Sequence, residues 1–312
     1  MGPVCHASAE DQVHGDNFEY ALGVKTTIFV PLVIALLATA ALAEGGDRPA
    51  TIEAFMRPDS PTRVIAHRGF SSQAPENTLI AVQQAIEVGA DMVEVDVTVT
   101  ADGHVICLHD ETLDRTTDGS GLPNDMTLAE IIQLDAGSWF APEYAGERIP
   151  TLTEVLDAVK GRILINIEIK PEAVEYGVVQ KVAALINEHE MLDSVVVSSF
   201  FPEALRLMKI TDPDVITASL FNKELHTGSD PLEIILEVGS RGFNISGKRV
   251  TPEMIERCHS HEIPVAVYTV NDATEMRRLM ELGVDAVFTD HPDLMLEVVA
   301  EGEGKAAAGS AN

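Results

Sequence analysis

Short apolar segments alternate along the chain with longer segments whose apolar residues recur at helical spacing. Reading the short segments as strands gives eight, with helices between most of them. The strands are predicted at residues 63–66, 92–97, 162–169, 195–199, 215–220, 242–245, 264–270 and 286–289. Because eight β-α units joined by right-handed crossovers close into a barrel, the pattern predicts an α/β fold, a (β/α)8 TIM barrel over residues 62–300.

One additional strand is predicted where the chain turns back after the second barrel strand. Residues 100–103, Thr-Ala-Asp-Gly, have the composition of a turn, and residues 104–109 are again strand-like. A hairpin centred near Asp102 would place His109 beside residues 94–96 of the opposite strand. The following segment, residues 110–150, is long and contains several glycines and prolines. We interpret it as an insertion and, from its position, as a candidate specificity lid.

Charged positions interrupt two of the predicted strands. Side chains alternate faces along a strand, so Glu94 and Asp96 share one face and the intervening valines share the other. Glu168 and Lys170 likewise share a face of the strand that ends at residue 169. Adjacent buried carboxylates repel one another unless a positive charge lies between them. An all-oxygen set of Glu94, Asp96 and Glu168 predicts one hard divalent cation, Mg²⁺ or Ca²⁺; for Glu168 and Lys170 the alternative is a structural ion pair.

Two histidines are predicted to lie near these carboxylates. His67 follows the first strand directly, at the carboxyl end where TIM barrels place their catalytic groups. The hairpin brings His109 to the carboxylates from the other direction. Each of these residues has an alternative interpretation as an ordinary polar group at a strand end. Together, two histidines and paired carboxylates in apolar strands indicate a hydrolytic metal site.

These motifs resemble those of the glycerophosphodiester phosphodiesterase family, and the resemblance spans about residues 62–298. The matching segments are His67-Arg68-Gly69 with Pro75-Glu76-Asn77-Thr78, Glu94-x-Asp96, His109-Asp110 with Arg115-Thr116-Thr117, Ile167-Glu168-Ile169-Lys170, and Gly283-Val284-Asp285 with Thr289-Asp290-His291-Pro292. The resemblance implies that His67 and His109 are the general acid and base. It also implies that three carboxylates hold the metal, Glu94, Asp96 and Glu168. Two cationic side chains, Arg68 and Lys170, would bind the phosphate.

The chain departs from the family pattern at Tyr268, where the family usually carries tryptophan. Tyr268 would form a wall of the substrate site, where its hydroxyl would influence the choice of head group. The alternative is a core aromatic residue of the strand at residues 264–270.

The resemblance implies metal-dependent hydrolysis of glycerophosphodiesters to sn-glycerol 3-phosphate and an alcohol. The nucleophile would be the neighbouring glycerol hydroxyl, through a cyclic phosphate, or water directly. Two other functions stay open: a lysophospholipase D acting on lysophospholipids, and a non-catalytic barrel that binds phosphate esters. A binder needs no pair of proton-transferring groups, so His67 and His109 favour an enzyme.

Composition limits the partners and suggests a compartment. A net charge of −29 excludes nucleic acid as a partner and requires an anionic substrate to be attracted locally. Residues 25–43 combine a lysine, an apolar run and a small-residue end, which is typical of a secretory signal peptide; residues 1–23 would then be a start-site artefact. We therefore expect a secreted or periplasmic protein, with an uncleaved membrane anchor as the alternative. Residues 44–61 are interpreted as a linker and residues 301–312 as a disordered tail.

Overall fold

The structure is a computed structural model and describes residues 49–58 and 61–310. The leader and signal peptide predicted at residues 1–43 lie outside the described residues, so export stays a prediction. Within the described ranges, the search for a helix both long and apolar enough to span a bilayer found none.

The strands form a closed barrel with one further strand at its rim. Their bounds are β1 (Arg63–Ala66), β2 (Met92–Val99), β3 (Val105–Cys107), β4 (Leu164–Ile169), β5 (Val195–Ser199), β6 (Ile216–Phe221), β7 (Gly242–Ser246), β8 (Val265–Tyr268) and β9 (Ala286–Thr289). Eight of them pair in parallel, in the order β1, β2, β4 to β9, and β9 pairs with β1 to close the barrel. β3 pairs with β2 antiparallel. The predicted TIM barrel with an extra hairpin strand is confirmed.

Most of the helices connect the parallel strands around the outside of the barrel. Their bounds are α1 (Ile52–Phe55), α2 (Leu79–Val88), α3 (Leu128–Ile131), α4 (Leu152–Val159), α5 (Val178–Glu188), α6 (Pro202–Thr211), α7 (Pro231–Val238), α8 (Pro252–His259), α9 (Ala273–Leu282) and α10 (Pro292–Ser310). α10 continues through residues 301–310, the stretch for which the sequence predicted a disordered tail. Residues 306–308 are alanines, the best helix formers, whereas the glycines at 302, 304 and 309 in the same stretch are poor ones.

Strand β2 is the longest strand and extends beyond the barrel rim. Its first residues pair with β1, and its last three pair with β3, with Val97 opposite Cys107. The Leu108 amide then donates to the Asp96 carbonyl at 3.0 Å. This hairpin carries His109 back over the carboxyl end of the barrel, as the turn composition predicted.

The barrel interior changes character from bottom to top. Near the amino ends of the strands it is filled by buried apolar side chains: Ile65, Met92, Leu164, Val196, Ile216, Ala218, Ala266 and Ala286. A larger apolar cluster fills the layer between the barrel and the outer helices. Because the lower interior is packed with apolar groups, the charged residues of β2 and β4 meet only at the carboxyl end.

Helix α1 closes the bottom of the barrel, where the sequence had predicted a linker. The Ile52 amide donates to the Asp193 carbonyl at 2.7 Å, just before β5 begins. Ile52, Phe55 and Met56 are buried in the same cluster as the lower barrel interior. Thr51 caps the helix by accepting from the Ala54 amide. The linker interpretation is therefore wrong for residues 51–56, because their apolar side chains supply the plug of the barrel.

The insertion at residues 110–150 is a small packed lobe. It contains α3 and the 3-10 turns Pro123–Asp125 and Pro142–Tyr144. Together with the end of the hairpin it has its own core, formed by Ile106, Leu108, Leu113, Ile131, Ala136 and Ile149. None of its residues lines the cavity beside the histidines. The lobe therefore flanks this cavity, and the interpretation as a lid over it gains no support.

We predict that Ile52→Ala destabilises the barrel without altering its site. Ile52 is 1% exposed, and truncating a buried isoleucine to alanine typically costs about 2–5 kcal/mol. Urea unfolding should give a free energy of unfolding lower by about that amount, with unchanged KM for any substrate. Arg57→Ala, an exposed neighbour, is the matched control and should change stability by less than about 0.5 kcal/mol. Equal stability of the two variants would contradict the plug.

Candidate active site

The predicted metal ligands come together at the carboxyl end of the barrel. Glu94 and Asp96 lie on β2, and the register of the sheet sets Asp96 directly beside Glu168 on β4. Oxygen atoms of the three carboxylates lie within 4.8 Å of one another. His67 follows β1 directly. Strand alternation therefore placed these side chains on one face, and barrel closure brought the faces together.

Glu94 has a carboxylate oxygen that no hydrogen-bond donor reaches. The residue is 1% exposed. Its Oε2 accepts from the Arg68 backbone amide at 2.8 Å, whereas Oε1 is buried without a hydrogen-bond partner. Burial, and then the charges of Asp96 and Glu168, raise the pKa of Glu94 well above its usual value. An unpaired buried carboxylate oxygen beside two further carboxylates fits a hard divalent cation, which prefers oxygen ligands.

Asp96 lies between two cationic side chains. Lys170 Nζ is 2.8 Å from Asp96 Oδ1 and 2.7 Å from Glu168 Oε1, and Arg68 Nε is 3.3 Å from Asp96 Oδ2. Burial favours the protonated acid, but Lys170 and Arg68 outweigh it and hold the pKa of Asp96 well below its usual range. Asp96 is therefore ionised at neutral pH.

Lys170 and Glu168 form the ion pair that was the alternative to a role in the site. Both residues nevertheless line the cavity of the site. A cavity of about 180 Å³ is bounded on its charged side by His67, Arg68, Glu94, His109, Glu168 and Lys170. Lys170 remains a cation there, because the effect of its two carboxylate neighbours on its pKa exceeds that of burial. The pairing and an orienting role toward an anion are compatible, since an ammonium group has three donors.

Both histidines are oriented by a carboxylate on the same ring nitrogen. His67 Nδ1 lies 2.7 Å from Asp290 Oδ1, and His109 Nδ1 lies 2.6 Å from Asp110 Oδ1. An ionised carboxylate only accepts, so each Nδ1 carries the proton and each Nε2 stays available for proton transfer. The two imidazoles line the same cavity. Such an arrangement can supply one acid and one base to a single bond.

The carboxylates that hold the histidines are themselves fixed as anions. The Arg115 guanidinium, more than any other group, keeps the pKa of Asp110 well below its usual range. Burial raises the pKa of Asp290, but hydrogen bonds and charge from His67, with donors on Asn271 and Ser71, lower it to about 2. Asn271 Nδ2 donates to Asp290 Oδ2 at 2.6 Å.

Asn77 is a further residue of the site to which the sequence analysis gave no role. Its Nδ2 donates to Asp96 Oδ2 at 2.9 Å, and its Oδ1 accepts from the Asp96 amide at 3.1 Å. The backbone of Asn77 is left-handed, with φ of +58°. Asparagine tolerates this conformation better than most residues, so the loop before α2 is hydrogen-bonded to β2 at Asp96, one of the predicted metal ligands.

The His-Arg-Gly turn after β1 is tightly packed. Arg68 has φ of +56° and Gly69 has φ of +84°. A Cβ at position 69 would lie 2.6 Å from the Ala81 carbonyl carbon in α2. Only glycine at position 69 allows α2 to approach this closely. The first turn of α2 therefore lies against the loop that carries Arg68.

The remainder of the cavity lining is mostly apolar. It includes Phe200, Leu220, Tyr268 and Phe288. The Tyr268 ring lies edge-on to Phe200 with centroids 5.7 Å apart, and its hydroxyl donates to the Phe221 carbonyl at 2.7 Å. Tyr268 is thus both a cavity wall and a packed aromatic residue. Its hydroxyl proton is engaged by the backbone.

Comparisons with known proteins agree with this geometry. The model of the glycerophosphoryl diester phosphodiesterase family matches residues 67–294. A glycerophosphodiester phosphodiesterase of Caldanaerobacter subterraneus is 39% identical over 243 residues, covering 77% of this chain and 99% of the relative. One of Bacillus subtilis is 36% identical over 256 residues, covering 77% of this chain and 87% of the relative.

Two solved structures are similar in both fold and sequence. A phosphodiesterase of Oleispira antarctica, solved in complex with the product sn-glycerol-3-phosphate, has a TM-score of 0.72 and 33% identity, covering 76% of this chain and 96% of that chain. A glycerophosphodiester phosphodiesterase of Agrobacterium tumefaciens has a TM-score of 0.68 and 32% identity, covering 76% and 99%.

We predict that a divalent cation stabilises the folded chain through the carboxylate cluster. A ligand present at a hundredfold its Kd adds about 2.7 kcal/mol to the free energy of unfolding, so adding Mg²⁺ or Ca²⁺ should raise Tm by several degrees. The combined change Glu94→Gln and Asp96→Asn should abolish this rise, because amides are poorer ligands for hard cations. Glu188→Gln, at an exposed position, should retain it. A wild-type chain whose Tm ignores both cations would refute the cluster as a metal site.

We also predict an acid-sensitive contribution of Asp290 to stability. Its folded pKa of about 2 lies below the value of the free side chain, so the unfolded state binds protons first as the pH falls. The stabilisation is complete above about pH 5, and about 1 kcal/mol of it is lost between pH 5 and pH 3. The free energy of unfolding, measured with urea, should therefore fall by about 1 kcal/mol more in wild type than in Asp290→Asn between pH 5 and pH 3. Parallel losses in the two proteins would show that the pair is not coupled to folding.

Proposed function

This chain belongs to the glycerophosphoryl diester phosphodiesterase family, and on that premise we propose that it hydrolyses glycerophosphodiesters to sn-glycerol 3-phosphate and an alcohol. The observation that carries the proposal is the pair of carboxylate-oriented histidines facing one cavity next to three clustered carboxylates. The product bound to the Oleispira antarctica relative supports glycerol 3-phosphate as the product here.

In this proposal His67 and His109 are the general acid and base. One Nε2 takes the proton of the attacking hydroxyl, and the other donates a proton to the leaving alcohol oxygen. The nucleophile is water, which gives sn-glycerol 3-phosphate directly, or the adjacent glycerol hydroxyl, which gives a cyclic phosphate that water then opens to the same product. Asp290 and Asp110 fix the tautomers, so that each ring presents Nε2 to the cavity throughout.

Glu94, Asp96 and Glu168 are proposed to hold the cation, which is Mg²⁺ or Ca²⁺. The open Glu94 Oε1 and the mutual closeness of the carboxylates support this assignment. When bound, such a cation supplies positive charge against the negative charge that develops on the phosphate oxygens.

Arg68 and Lys170 are proposed to orient the phosphate. Both cationic groups line the cavity beside the histidines. Their carboxylate partners fix the two side chains before substrate arrives, so little rotamer entropy is lost on binding. In a protein with a net charge of −29, these two side chains together with the cation are what attracts the anion.

A lysophospholipase D is the second candidate function, and the apolar wall of the cavity favours it. Phe200, Leu220 and Phe288 line the same cavity as the charged residues, where an acyl chain retained on the substrate would find apolar contacts. A non-catalytic phosphate-ester binder is disfavoured, because it has no use for two histidines with fixed tautomers.

The test is hydrolysis of glycerophosphocholine, followed as release of choline and glycerol 3-phosphate. We expect activity with added cation and its loss in EDTA. His109→Ala should lower kcat at least roughly a hundredfold, because one proton-transfer step loses its catalyst. Tm should change little, since His109 is a partly exposed side chain.

The matched control is His104→Ala, an exposed histidine near the turn of the same hairpin, which should leave kcat unchanged. Full activity in EDTA would remove the cation from the proposal. Faster hydrolysis of lysophosphatidylcholine than of glycerophosphocholine would favour the lysophospholipase D. A cation-loaded chain that binds but hydrolyses neither would indicate a binder.

A further inference from the structure

Arg115, in the lobe formed by residues 110–150, bonds simultaneously to two carboxylates. Its Nε and Nη2 donate to Asp110 at 2.6 and 3.0 Å. Its Nη1 and Nη2 donate to Glu76 at 2.8 and 2.7 Å. The face of the guanidinium also lies 6.0 Å from the centroid of the Trp139 ring. One side chain thus makes two bidentate contacts from outside the cavity.

Each of the two carboxylates supports a different part of the site. Asp110 accepts from His109 Nδ1 at 2.6 Å. Glu76 accepts from Arg68 Nη1 at 2.8 Å, and Arg68 Nε in turn lies 3.3 Å from Asp96 Oδ2. A continuous series of charged contacts therefore runs from His109 through Arg115 to Arg68.

We propose that Arg115 is a positioning residue, which fixes His109 and Arg68 relative to one another through Asp110 and Glu76. This inference rests on the proposed function for its kinetic consequences. Arg115 does not line the cavity, so it acts through its two carboxylate partners and not on the substrate.

The chemistry of the guanidinium explains why an arginine serves here. It is planar, permanently charged and carries five donors in a fixed arrangement, which suits two bidentate carboxylates at once. A lysine ammonium is a point charge on a flexible stem and cannot align both carboxylates.

The surroundings distinguish this contact from an ordinary surface ion pair, which contributes little. The Glu76 side chain is only 13% exposed, so water and salt screen its contacts with Arg68 and Arg115 less than those of an exposed pair. Glu76 also belongs to the loop between β1 and α2, whose residues Arg68 and Asn77 have positive φ. Such backbone conformations persist only where neighbouring contacts hold them. Arg115 holds this loop from the lobe.

The experiment compares Arg115→Ala and Arg115→Lys with wild type on glycerophosphocholine. We expect Arg115→Ala to lower kcat about 10–100-fold, the effect typical of losing a group that orients an active-site residue. The fall in kcat should exceed the change in KM. Arg115→Lys should give an intermediate kcat, and it also serves if the alanine variant folds poorly.

Chemical rescue separates positioning from general stability. Arg115 is 43% exposed, so added guanidinium at millimolar concentration can occupy the space left by Arg115→Ala and should restore part of the lost kcat. Arg206→Ala is the matched control, because Arg206 also joins two carboxylates, Glu203 and Glu237, on the surface at 37% exposure. It should retain wild-type kcat and show no rescue.

A second measurement is independent of the substrate. In ¹⁵N spectra of the imidazoles, Arg115→Ala should lower the population of the Nδ1–H tautomer of His109. The tautomer of His67, which is held by Asp290, should be unchanged. If the wild-type chain did not hydrolyse glycerophosphocholine, the proposed function would be refuted, but this spectrum would still decide the role of Arg115. An unchanged His109 tautomer in Arg115→Ala overturns the inference, as does a kcat within twofold of wild type or one that guanidinium does not restore.

Discussion

Burial of three carboxylates at one end of the barrel is the constraint on which the rest of the site depends. Glu94 and Asp96 are each 1% exposed, and such charges are costly unless they are compensated. Lys170 and Arg68 compensate Asp96, and the unpaired Oε1 of Glu94 fits a divalent cation. Lys170 and Arg68 also line the cavity in which we propose that the phosphate binds. In that proposal the same side chains stabilise the buried carboxylates and bind the substrate.

Features set by short-range geometry were predictable from the sequence. Period-two alternation put Glu94 and Asp96 on one face, and the turn at residues 100–103 returned His109 to them. The polar positions of β4 could be assigned because a doubly covered parallel strand otherwise has two apolar faces. The barrel itself followed from eight repeated β-α units, since handedness leaves few alternatives for their closure.

Features set by long-range closure or by loop geometry were not predictable. Asp290 reaches His67 across 223 residues, through the pairing of β9 with β1. Asn77 holds Asp96 only because its backbone is left-handed, and Arg115 reaches Glu76 only after the lobe has packed. One signal was available for Asp290: it follows the end of its strand directly, as His67 does. Helix α1 was mistaken for a linker because four residues are too few for a helical period to be evident.

The lobe contributes to the site through electrostatics more than through shape. It has its own apolar core, its Asp110 contacts His109 directly, and its Arg115 joins Asp110 to Glu76. These contacts position side chains from outside the cavity, because none of the residues 110–150 lines it. In the proposed function the lobe therefore orients His109 through Asp110, whereas Asp290, which follows β9, orients His67. Selection of the head group is proposed for a separate part of the rim, the apolar lining around Phe200 and Tyr268.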